Sequence, residues 1–368
     1  MRVVIAKKLL STVGGSEAQA RALAAALRDR GHDVTLVGLR PVNRRAGIPQ
    51  RVYDAPSGDV TLEDGGLTYR FIASRTAFLE GALPLSLVGP ERLRPAVAGA
   101  DIVHCLAREW AGPYERAARA TGAAFVETPL AHPGQLFSGD GTADIARYAR
   151  DDAVLGLTEW EADWYRAHGA RRAIVTGVGP ILPQAGTPIP DQVPDPATIL
   201  FVGRKERYKG YDALRLAARL VWRERPDARF VVIGQRRFLG PAPLSDPRWS
   251  EPGIVSESRK ADAYARATIF AMPSDHETFG HTYLEAWCAG RPVIAGDIAP
   301  LREVVREGID GLHAANEPRA IADAILTLLA DPARASAMGA AGRARVGERF
   351  TWPVIAALTE AAYNAARG

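Results

Sequence analysis

Residues 3–37 read VVIAKKLLSTVGGSEAQARALAAALRDRGHDVTLV. A short apolar run at Val3–Ala6 leads into a glycine turn and an alanine-rich stretch, which ends at Arg30-Gly31. A second apolar run follows at Val34–Val37. The order of strand, glycine turn, helix, glycine stop and strand is typical of a βαβ unit, whose two strands lie parallel in one sheet. The segment therefore predicts an α/β domain.

The same pattern begins again after residue 197. A predicted helix at Tyr211–Arg225 separates apolar runs at Ile199–Val202 and Phe230–Ile233. Further predicted strands lie at Ile102–Val103, Ala124–Glu127, Ala153–Leu157, Ala173–Thr176, Ile269–Met272 and Val293–Ala295. None alternates strictly between apolar and polar residues, as is typical of parallel strands covered on both faces. We therefore predict two Rossmann-like, doubly wound domains facing a cleft, with ligand at the carboxyl ends of the strands.

The segment 179–196 separates the two halves and contains six prolines. This density prevents regular structure and predicts a semi-rigid linker. We assign residues 1–180 to an N-terminal domain and residues 197–352 to a C-terminal domain.

The composition is that of a soluble globular protein, with 47% hydrophobic and 24% charged residues among 368. The net charge of +4 is shared about equally between the halves, which argues against a nucleic-acid-binding domain. The two cysteines, Cys105 and Cys288, favour a reducing compartment. No apolar run reaches the ~18 residues of a transmembrane helix, and the N-terminal run is too short for a signal peptide. We expect a cytoplasmic protein, with a peripheral contact to the inner membrane face left open.

Residues 40–51 carry a local concentration of positive charge. The four arginines are Arg40, Arg44, Arg45 and Arg51, and no acidic residue lies between them. A solvated loop is the favoured interpretation, and an electropositive rim for an anionic acceptor is the alternative.

The stretch with the most chemical information is residues 272–296, which read MPSDHETFGHTYLEAWCAGRPVIAG. We predict a strand that ends at Pro273, a loop that carries Glu277, and a helix from Phe279–Gly280 to Gly290. Unpaired N–H groups at such a helix start bind phosphate. The candidate N–H donors here belong to Gly280, His281 and Thr282. The carboxylates of Glu277 and Glu285 are better suited to accept hydrogen bonds from the vicinal hydroxyls of ribose and hexose.

This string resembles the signature of glycosyltransferase family 4, the retaining sugar-nucleotide transferases of the GT-B fold. That signature has two glutamates separated by seven residues, with Phe-Gly just after the first. Glu277, Phe279, Gly280 and Glu285 match it. The resemblance implies that Glu285 binds the ribose, and that Glu277 and the backbone around Phe279–Gly280 hold the transferred sugar. It also implies an N-terminal acceptor domain, a C-terminal donor domain, and a terminal helix at about 353–368 that packs back on the N-terminal domain.

A second element lies after the predicted strand at Ile199–Val202. Arg204 follows that strand, and Lys209 precedes the glycine that opens the next helix. The family places Arg and Lys at this spacing to clamp the donor diphosphate. A departing diphosphate gains negative charge in the transition state, so preorganised cations would stabilise it selectively. Surface cations without a role are the alternative.

The N-terminal half contributes two further elements. The loop Gly14-Gly15-Ser16-Glu17 resembles the family's N-domain loop, whose amides approach the donor phosphates or the acceptor. It lacks the third glycine of a dinucleotide-binding fingerprint, which excludes a dehydrogenase. His132 follows a predicted strand where the family often has a His-Gly pair near the reacting carbon, although Pro133 intervenes here. His104 is the competing histidine, and we interpret it as structural.

The resemblance implies a metal-independent, retaining enzyme with His132, Arg204, Lys209 and Glu277 as catalytic candidates. The donor is a nucleotide-sugar co-substrate, with UDP favoured and GDP as the alternative. The acceptor is unidentified, whether glycan, lipid-linked or small molecule. Asp275-His276-Glu277 could instead be an acid-x-acid metal motif, but a metal would duplicate Arg204 and Lys209, so we expect no metal and no cofactor. A sugar-nucleotide epimerase of related fold and a non-catalytic sugar-nucleotide-binding subunit remain the alternative functions.

Overall fold

The computed structural model of the protein describes residues 1–12, 14–75, 87–134, 138–182, 192–237 and 240–368. The chain divides into two compact units. The first contains Met1–Val178 and Trp352–Gly368, and the second contains Gly179–Thr351. Half of the predicted proline-rich linker, residues 183–191, lies outside the described residues. None of the described helices is long and apolar enough to cross a bilayer.

The first unit is built on an eight-stranded sheet with the order β3-β4-β2-β1-β5-β6-β7-β8. Its strands are β1 (Arg2–Ala6), β2 (Asp33–Leu39), β3 (Val60–Asp64), β4 (Leu67–Ile72), β5 (Ile102–Leu106), β6 (Ala124–Thr128), β7 (Ala153–Gly156) and β8 (Ala173–Val175). The predicted βαβ unit is confirmed, since β1 pairs in parallel with β2 across a helix. The sheet order turns back at β1, which also pairs with β5.

The edge hairpin β3–β4 is the one antiparallel pair among the described strands of this sheet. Gly65 and Gly66 form its two-residue turn, both with positive φ, at 57° and 72°. That geometry matches the right-handed twist of the strands and favours glycine at both positions. The sequence interpretation did not include this hairpin.

The helices of the first unit are α1 (Gly15–Asp29), α2 (Gln50–Asp54), α3 (Pro90–Val97), α4 (Ala111–Thr121), α5 (Thr142–Tyr148), α6 (Glu159–Ala167) and α13 (Trp352–Arg367). The terminal helix α13 packs against α1, β6 and β7. Its Tyr363 is fully buried and hydrogen-bonds His104 of β5 at 2.8 Å. Trp110, Tyr114 and Phe125 lie in the apolar core on the sheet. The last helix is therefore an integral part of the first unit.

A buried ionic cluster lies beside β6. Arg147 donates two hydrogen bonds to Glu127, at 2.7 and 2.9 Å, and pairs with Asp144 at 2.8 Å. Asp151 is 1% exposed next to this cluster. Burial and the negative charge of Glu127 raise the pKa of Asp151 well above its usual range. Burial in this cluster therefore favours the protonated form of Asp151.

The second unit has a parallel six-stranded sheet with the order β11-β10-β9-β12-β13-β14. Its strands are β9 (Thr198–Val202), β10 (Arg229–Ile233), β11 (Trp249–Gly253), β12 (Ile269–Met272), β13 (Val293–Gly296) and β14 (Gly311–Ala314). Its helices are α7 (Tyr211–Glu224), α8 (Glu257–Arg266), α9 (His281–Cys288), α10 (Ala299–Val304), α11 (Pro318–Ala330) and α12 (Pro332–Arg349). The chain leaves β9 towards β10 and later returns to its other side as β12. This reversal is the switch point where doubly wound sheets bind ligands.

Trp287 of α9 anchors the helix layer of the second unit. Its ring is fully buried, and its Nε1 donates to the carbonyl of Asp310 at 2.8 Å. A Cβ atom on Gly342 of α12 would lie 2.0 Å from the indole. The two helices therefore touch directly at this point, which fixes α9 behind the strand ends.

Candidate functional site

The loops that follow β9 and β12 are fastened to each other at the switch point. The amide of Asp275 donates to the carbonyl of Tyr208 at 2.9 Å. Asn316 donates through Nδ2 to the carbonyl of Arg207 at 3.1 Å and to Oδ2 of Asp275 at 3.0 Å. These three hydrogen bonds make the two loops one continuous surface at the carboxyl edge of the sheet.

Two glycines, one in the loop after β9 and one at the end of β13, permit the close approach of their segments to the loop after β12. Gly210 has a φ of +81°, and a Cβ atom there would lie 2.6 Å from Cγ of Pro273. A Cβ atom on Gly296 would lie 1.7 Å from the carbonyl oxygen of Ser274. Any side chain at either position would push the loop after β12 away, so both positions require glycine.

Lys209 and Glu277, both predicted site residues, form an ion pair across the two loops. Lys209 ends a 3₁₀ turn at Arg207–Lys209, and its Nζ lies 5.4 Å from the centre of the Tyr208 ring. The ammonium group is therefore fixed beside a carboxylate and an aromatic face, at the edge where the sequence predicts a diphosphate.

Arg204 is exposed at the end of β9 and contacts the same tyrosine. Its guanidinium donates to the hydroxyl of Tyr208 and lies 5.8 Å from the ring centre. Tyr208 thus contacts both predicted cations, and cation–π attraction holds each in place. Sequence reasoning missed Tyr208, although an aromatic residue between two candidate cations was a readable signal.

The start of α9 presents the predicted backbone donors. Gly280 has a φ of +84° and precedes His281, where the helix begins. Within the described residues, no side chain caps this first turn, so the N–H groups of His281 and Thr282 belong to an uncapped helix start. Phe279 is buried edge-to-face on Phe350, with ring centres 5.3 Å apart. Only the backbone of Phe279 is therefore available to a ligand.

Glu285 lies further along α9 and is 2% exposed. Its Oε2 accepts from the hydroxyl of Tyr264 at 2.8 Å, and its Oε1 accepts from the amide of Leu182 at 3.3 Å. Nζ of Lys260 lies 3.6 Å from Oε1. Burial raises the pKa of Glu285, and the positive charge of Lys260 opposes that shift. Neither Tyr264 nor Lys260 was singled out from the sequence.

The side chain of His281, the first residue of α9, contacts the backbone of Gly179. Its Nδ1 lies 3.2 Å from the carbonyl oxygen of Gly179. Burial lowers the pKa of His281, so the ring is neutral. Because a carbonyl only accepts, Nδ1 carries the proton and Nε2 keeps its lone pair.

Lys205, next to Arg204, serves the core rather than a ligand. It is 2% exposed, and its Nζ pairs with Oε2 of Glu251 at 2.7 Å. Glu251 also accepts from Tyr211 at 2.7 Å and from Trp249 at 2.6 Å. A buried ammonium is tolerated when its carboxylate partner is fully hydrogen-bonded in this way.

In the first unit, the predicted residues lie at the carboxyl ends of β1 and β6. Gly14 has a φ of +117° and precedes Gly15, the first residue of α1. His132 is half-buried in the loop after β6, and its amide donates to the carbonyl of Ser138 at 3.0 Å. Strands β1 and β6 both flank β5 in the sheet, so the two loops lie at the same edge.

The competing histidine, His104, has a structural environment. It is 1% exposed, with Nδ1 at 2.8 Å from the hydroxyl of Tyr363 and Nε2 at 2.8 Å from Oγ1 of Thr128. Burial lowers the pKa of His104 to about 3. A neutral ring with both nitrogens engaged in the core is explained by packing.

The arginine run at 40–51 divides into two kinds of residue. Arg40 donates to the carbonyls of Val52 at 3.1 Å and Gly58 at 2.8 Å, which ties the loop together. The other three arginines are exposed.

In the described ranges, no group of three or more His, Cys, Asp or Glu side chains is placed to bind one metal ion.

Comparisons with known proteins agree with this architecture. A family model described as "Glycosyl transferase 4-like domain" matches residues 14–180, and one described as "Glycosyl transferases group 1" matches residues 188–345. A D-inositol 3-phosphate glycosyltransferase of Segniliparus rotundus is 33% identical over 47% of this chain and 41% of its own. An alpha-maltose-1-phosphate synthase of Mycolicibacterium smegmatis is 30% identical over 61% of this chain and 63% of its own.

Among solved structures, Anabaena HepE in complex with UDP and glucose has a TM-score of 0.71. It is 15% identical and covers 98% of each chain. At 15% sequence identity, this structural similarity shows that the two proteins share a fold. The chain spans less than half the length of the first curated relatives that it matches.

Proposed function

Because the chain belongs to glycosyltransferase family 4 of the GT-B fold, we propose that it transfers a sugar from a nucleotide-diphosphate donor to an acceptor. One observation carries this proposal. The loop with Arg204 and Lys209 is fastened to the loop with Glu277, directly before the uncapped start of α9. Two cations, free backbone donors and a carboxylate on one surface fit a sugar diphosphate.

The diphosphate would lie against Arg204, Lys209 and the first turn of α9. The ammonium group of Lys209 has three N–H donors, so it can keep Glu277 as a partner while it binds a phosphate oxygen. As the bond to the sugar breaks, negative charge grows on the departing diphosphate, and these fixed cations stabilise that state. Glu277, oriented by Lys209, would accept from hydroxyls of the transferred sugar.

The ribose would be bound by Glu285. An ionised carboxylate accepts hydrogen bonds from both vicinal hydroxyls. The assignments of His132, Gly14 and Gly15 rest on the family resemblance and stay predictions.

The transfer we propose is metal-independent and retains the anomeric configuration. The bond between the anomeric carbon and the diphosphate oxygen breaks, the acceptor oxygen bonds to the same face, and its proton passes to the departing oxygen. Support for metal independence comes from Asp275, which accepts from His276 at 2.7 Å and from Asn316. Its neighbour Glu277 is paired with Lys209. The acid-x-acid motif therefore has other partners for both carboxylates.

We favour UDP as the nucleotide, as in the Anabaena complex, although one relative is named as a GDP-mannose-dependent mannosyltransferase. A thermal-shift screen of UDP-, GDP- and ADP-sugars tests this choice. The melting temperature should rise most with a UDP-sugar, and a rise confined to GDP-sugars would contradict it.

Release of nucleoside diphosphate distinguishes transfer from the two alternative functions. The preferred donor is incubated alone and with panels of inositol phosphates, sugar phosphates, glycans and lipid-linked acceptors. A transferase releases nucleoside diphosphate when an acceptor is added. A sugar-nucleotide epimerase would convert the donor into an isomeric sugar nucleotide without an acceptor, and a binding subunit would leave it unchanged.

A further inference from the structure

Glu285 faces a set of charged and titratable groups on the surrounding helices. They are Glu257, Lys260 and Tyr264 of α8 and Cys288 of α9, with Arg343 of α12 beyond Cys288. His281 of α9 interacts electrostatically with Lys260. Within the part of the chain that the structure describes, Lys260 is the cation that pairs with this carboxylate, with Nζ 3.6 Å from Oε1. Burial is the largest influence on the pKa of Glu285 and raises it, and Lys260 is the charged group that opposes this shift most strongly.

Lys260 is held in this position from both sides. Its Nζ also pairs with Oε2 of Glu257 at 2.9 Å, one turn earlier on α8. The side chain of Lys260 is 17% exposed, whereas that of Glu257 is 53% exposed. The ammonium group thus bridges an exposed carboxylate and a buried one.

The hydrogen bonds to Glu285 leave room for a ligand only while the carboxylate is ionised. An ionised carboxylate has about four lone-pair positions. Tyr264 and Leu182 donate hydrogen bonds to two of them, and Lys260 pairs with the carboxylate through its charge at 3.6 Å, so two positions remain for the ribose hydroxyls. Protonation would convert one carboxylate oxygen into a hydrogen-bond donor and remove an acceptor position. The carboxyl group could then no longer accept hydrogen bonds from both ribose hydroxyls.

We propose that Lys260 is a positioning residue that keeps Glu285 ionised and oriented to accept the ribose hydroxyls of the donor. The inference rests on the proposed ribose role of Glu285. Without Lys260, an ionised Glu285 would be a buried charge with neutral hydrogen-bond donors only, and such a group takes up a proton. Lys260 therefore acts on nucleotide affinity through the protonation of a second residue.

The test is nucleotide affinity as a function of pH. Binding of UDP and GDP to the full chain is measured by calorimetry between pH 6 and 9 for the wild type, Lys260→Met and Lys260→Arg. Lys260→Met should bind about tenfold more weakly at pH 6 for each unit by which the pKa of Glu285 exceeds 6 in the variant. Its affinity should approach that of the wild type as the pH rises to 9. Lys260→Arg, which keeps the charge, should follow the wild type.

A double-mutant cycle separates this inference from the proposed function. In the Glu285→Gln background, the Lys260→Met substitution should have little further effect, since no charge remains to protect. Circular dichroism at each pH verifies that the variants are folded. If Glu285→Gln leaves affinity unchanged, both the ribose role and the inference fail. If Glu285→Gln weakens binding but Lys260→Met gives a profile parallel to that of the wild type, the inference alone is overturned.

Discussion

Lys209 and Glu277 lie on different loops, yet they form an ion pair whose side chains are only 14% and 10% exposed. The pair places a cation and a carboxylate side by side before any ligand is bound, as the proposed sugar-diphosphate site needs. Preorganised charges of this kind need no rearrangement during the reaction, which is the physical basis of electrostatic catalysis.

Neutralising either cation should impair turnover more than donor binding. Arg204→Gln and Lys209→Met each remove one of the two cations at the proposed diphosphate site. If these cations stabilise the negative charge that grows on the diphosphate, kcat should fall by about 100-fold. Arg207→Gln, exposed in the same loop, is the matched control. Steady-state kinetics and donor titration check this expectation. A loss confined to donor affinity would mean that these cations bind the ground state.

Tyr208 should be required for the placement of both cations. Tyr208→Phe removes the hydroxyl that Arg204 contacts but keeps the aromatic face, whereas Tyr208→Leu removes both. We expect a graded loss of kcat, smaller for Tyr208→Phe, with a melting temperature close to that of the wild type. Equal activity of Tyr208→Leu and the wild type would rule out a placing role for the ring.

Replacing Glu285 should weaken nucleotide binding. Glu285→Ala removes the acceptor proposed for the ribose hydroxyls, and a hydrogen bond to a charged group contributes about 1.5–3 kcal/mol. The affinity for free UDP, measured by calorimetry, should fall accordingly. Glu348→Ala, at an exposed position of α12, is the control. Unchanged affinity for the nucleoside diphosphate would remove the ribose assignment.

Transfer should continue in excess EDTA and give a retained product. Arg204, Lys209 and the start of α9 already supply positive charge for the diphosphate. Product formation is followed with and without EDTA, and NMR of the anomeric proton reads the configuration. Activity lost with EDTA and restored by manganese would make Asp275-His276-Glu277 a metal site, and an inverted product would contradict the same-face mechanism.

Asp151 should make the folded protein less stable as the pH rises. Burial and Glu127 raise the pKa of Asp151 in the folded protein. The contribution of Asp151 to the free energy of unfolding is therefore fully present below pH ~4, the pKa range of an unfolded aspartate, and is lost as the pH rises towards the pKa of the folded state. Titration of this one group lowers the free energy of unfolding by at most about 1.4 kcal/mol per pH unit. Denaturant unfolding of Asp151→Asn and of the exposed control Asp163→Asn measures it. Asp151→Asn should gain stability relative to the wild type between pH 6 and 9, and parallel profiles would contradict the assignment.

The sequence predicted the fold class because parallel strands leave strong local signals. The runs at Val3–Ala6 and Ile199–Val202 are apolar throughout, and each precedes a glycine turn. The edge strand β11 was missed for a physical reason. Trp249–Gly253 contains Pro252 and alternates in exposure, and an edge strand tolerates a proline that a central strand would exclude.

The residues of the candidate site that lie in sequence motifs could be singled out from their spacing along the chain. Glu277, Glu285, Arg204 and Lys209 were identified from their positions in motifs. The partners that hold them were not, because Tyr264 and Lys260 meet Glu285 only after α8 packs on α9. Lys205 is a second example. It lies beside Arg204 in the sequence, but its ion-pair partner Glu251 is distant along the chain and could not be inferred from that position.

The glycine contacts between the two loops bear on how donor preference can be redesigned. Because Gly210 lies against Pro273 with no space for a Cβ atom, a graft of residues 203–210 alone would meet a foreign partner at a contact that leaves no space for adjustment. Segments 203–210 and 273–280 should therefore be exchanged together, with Gly296 retained, as a single cassette. In recombination between relatives, crossovers that separate the two segments would be the ones that yield inactive chimeras.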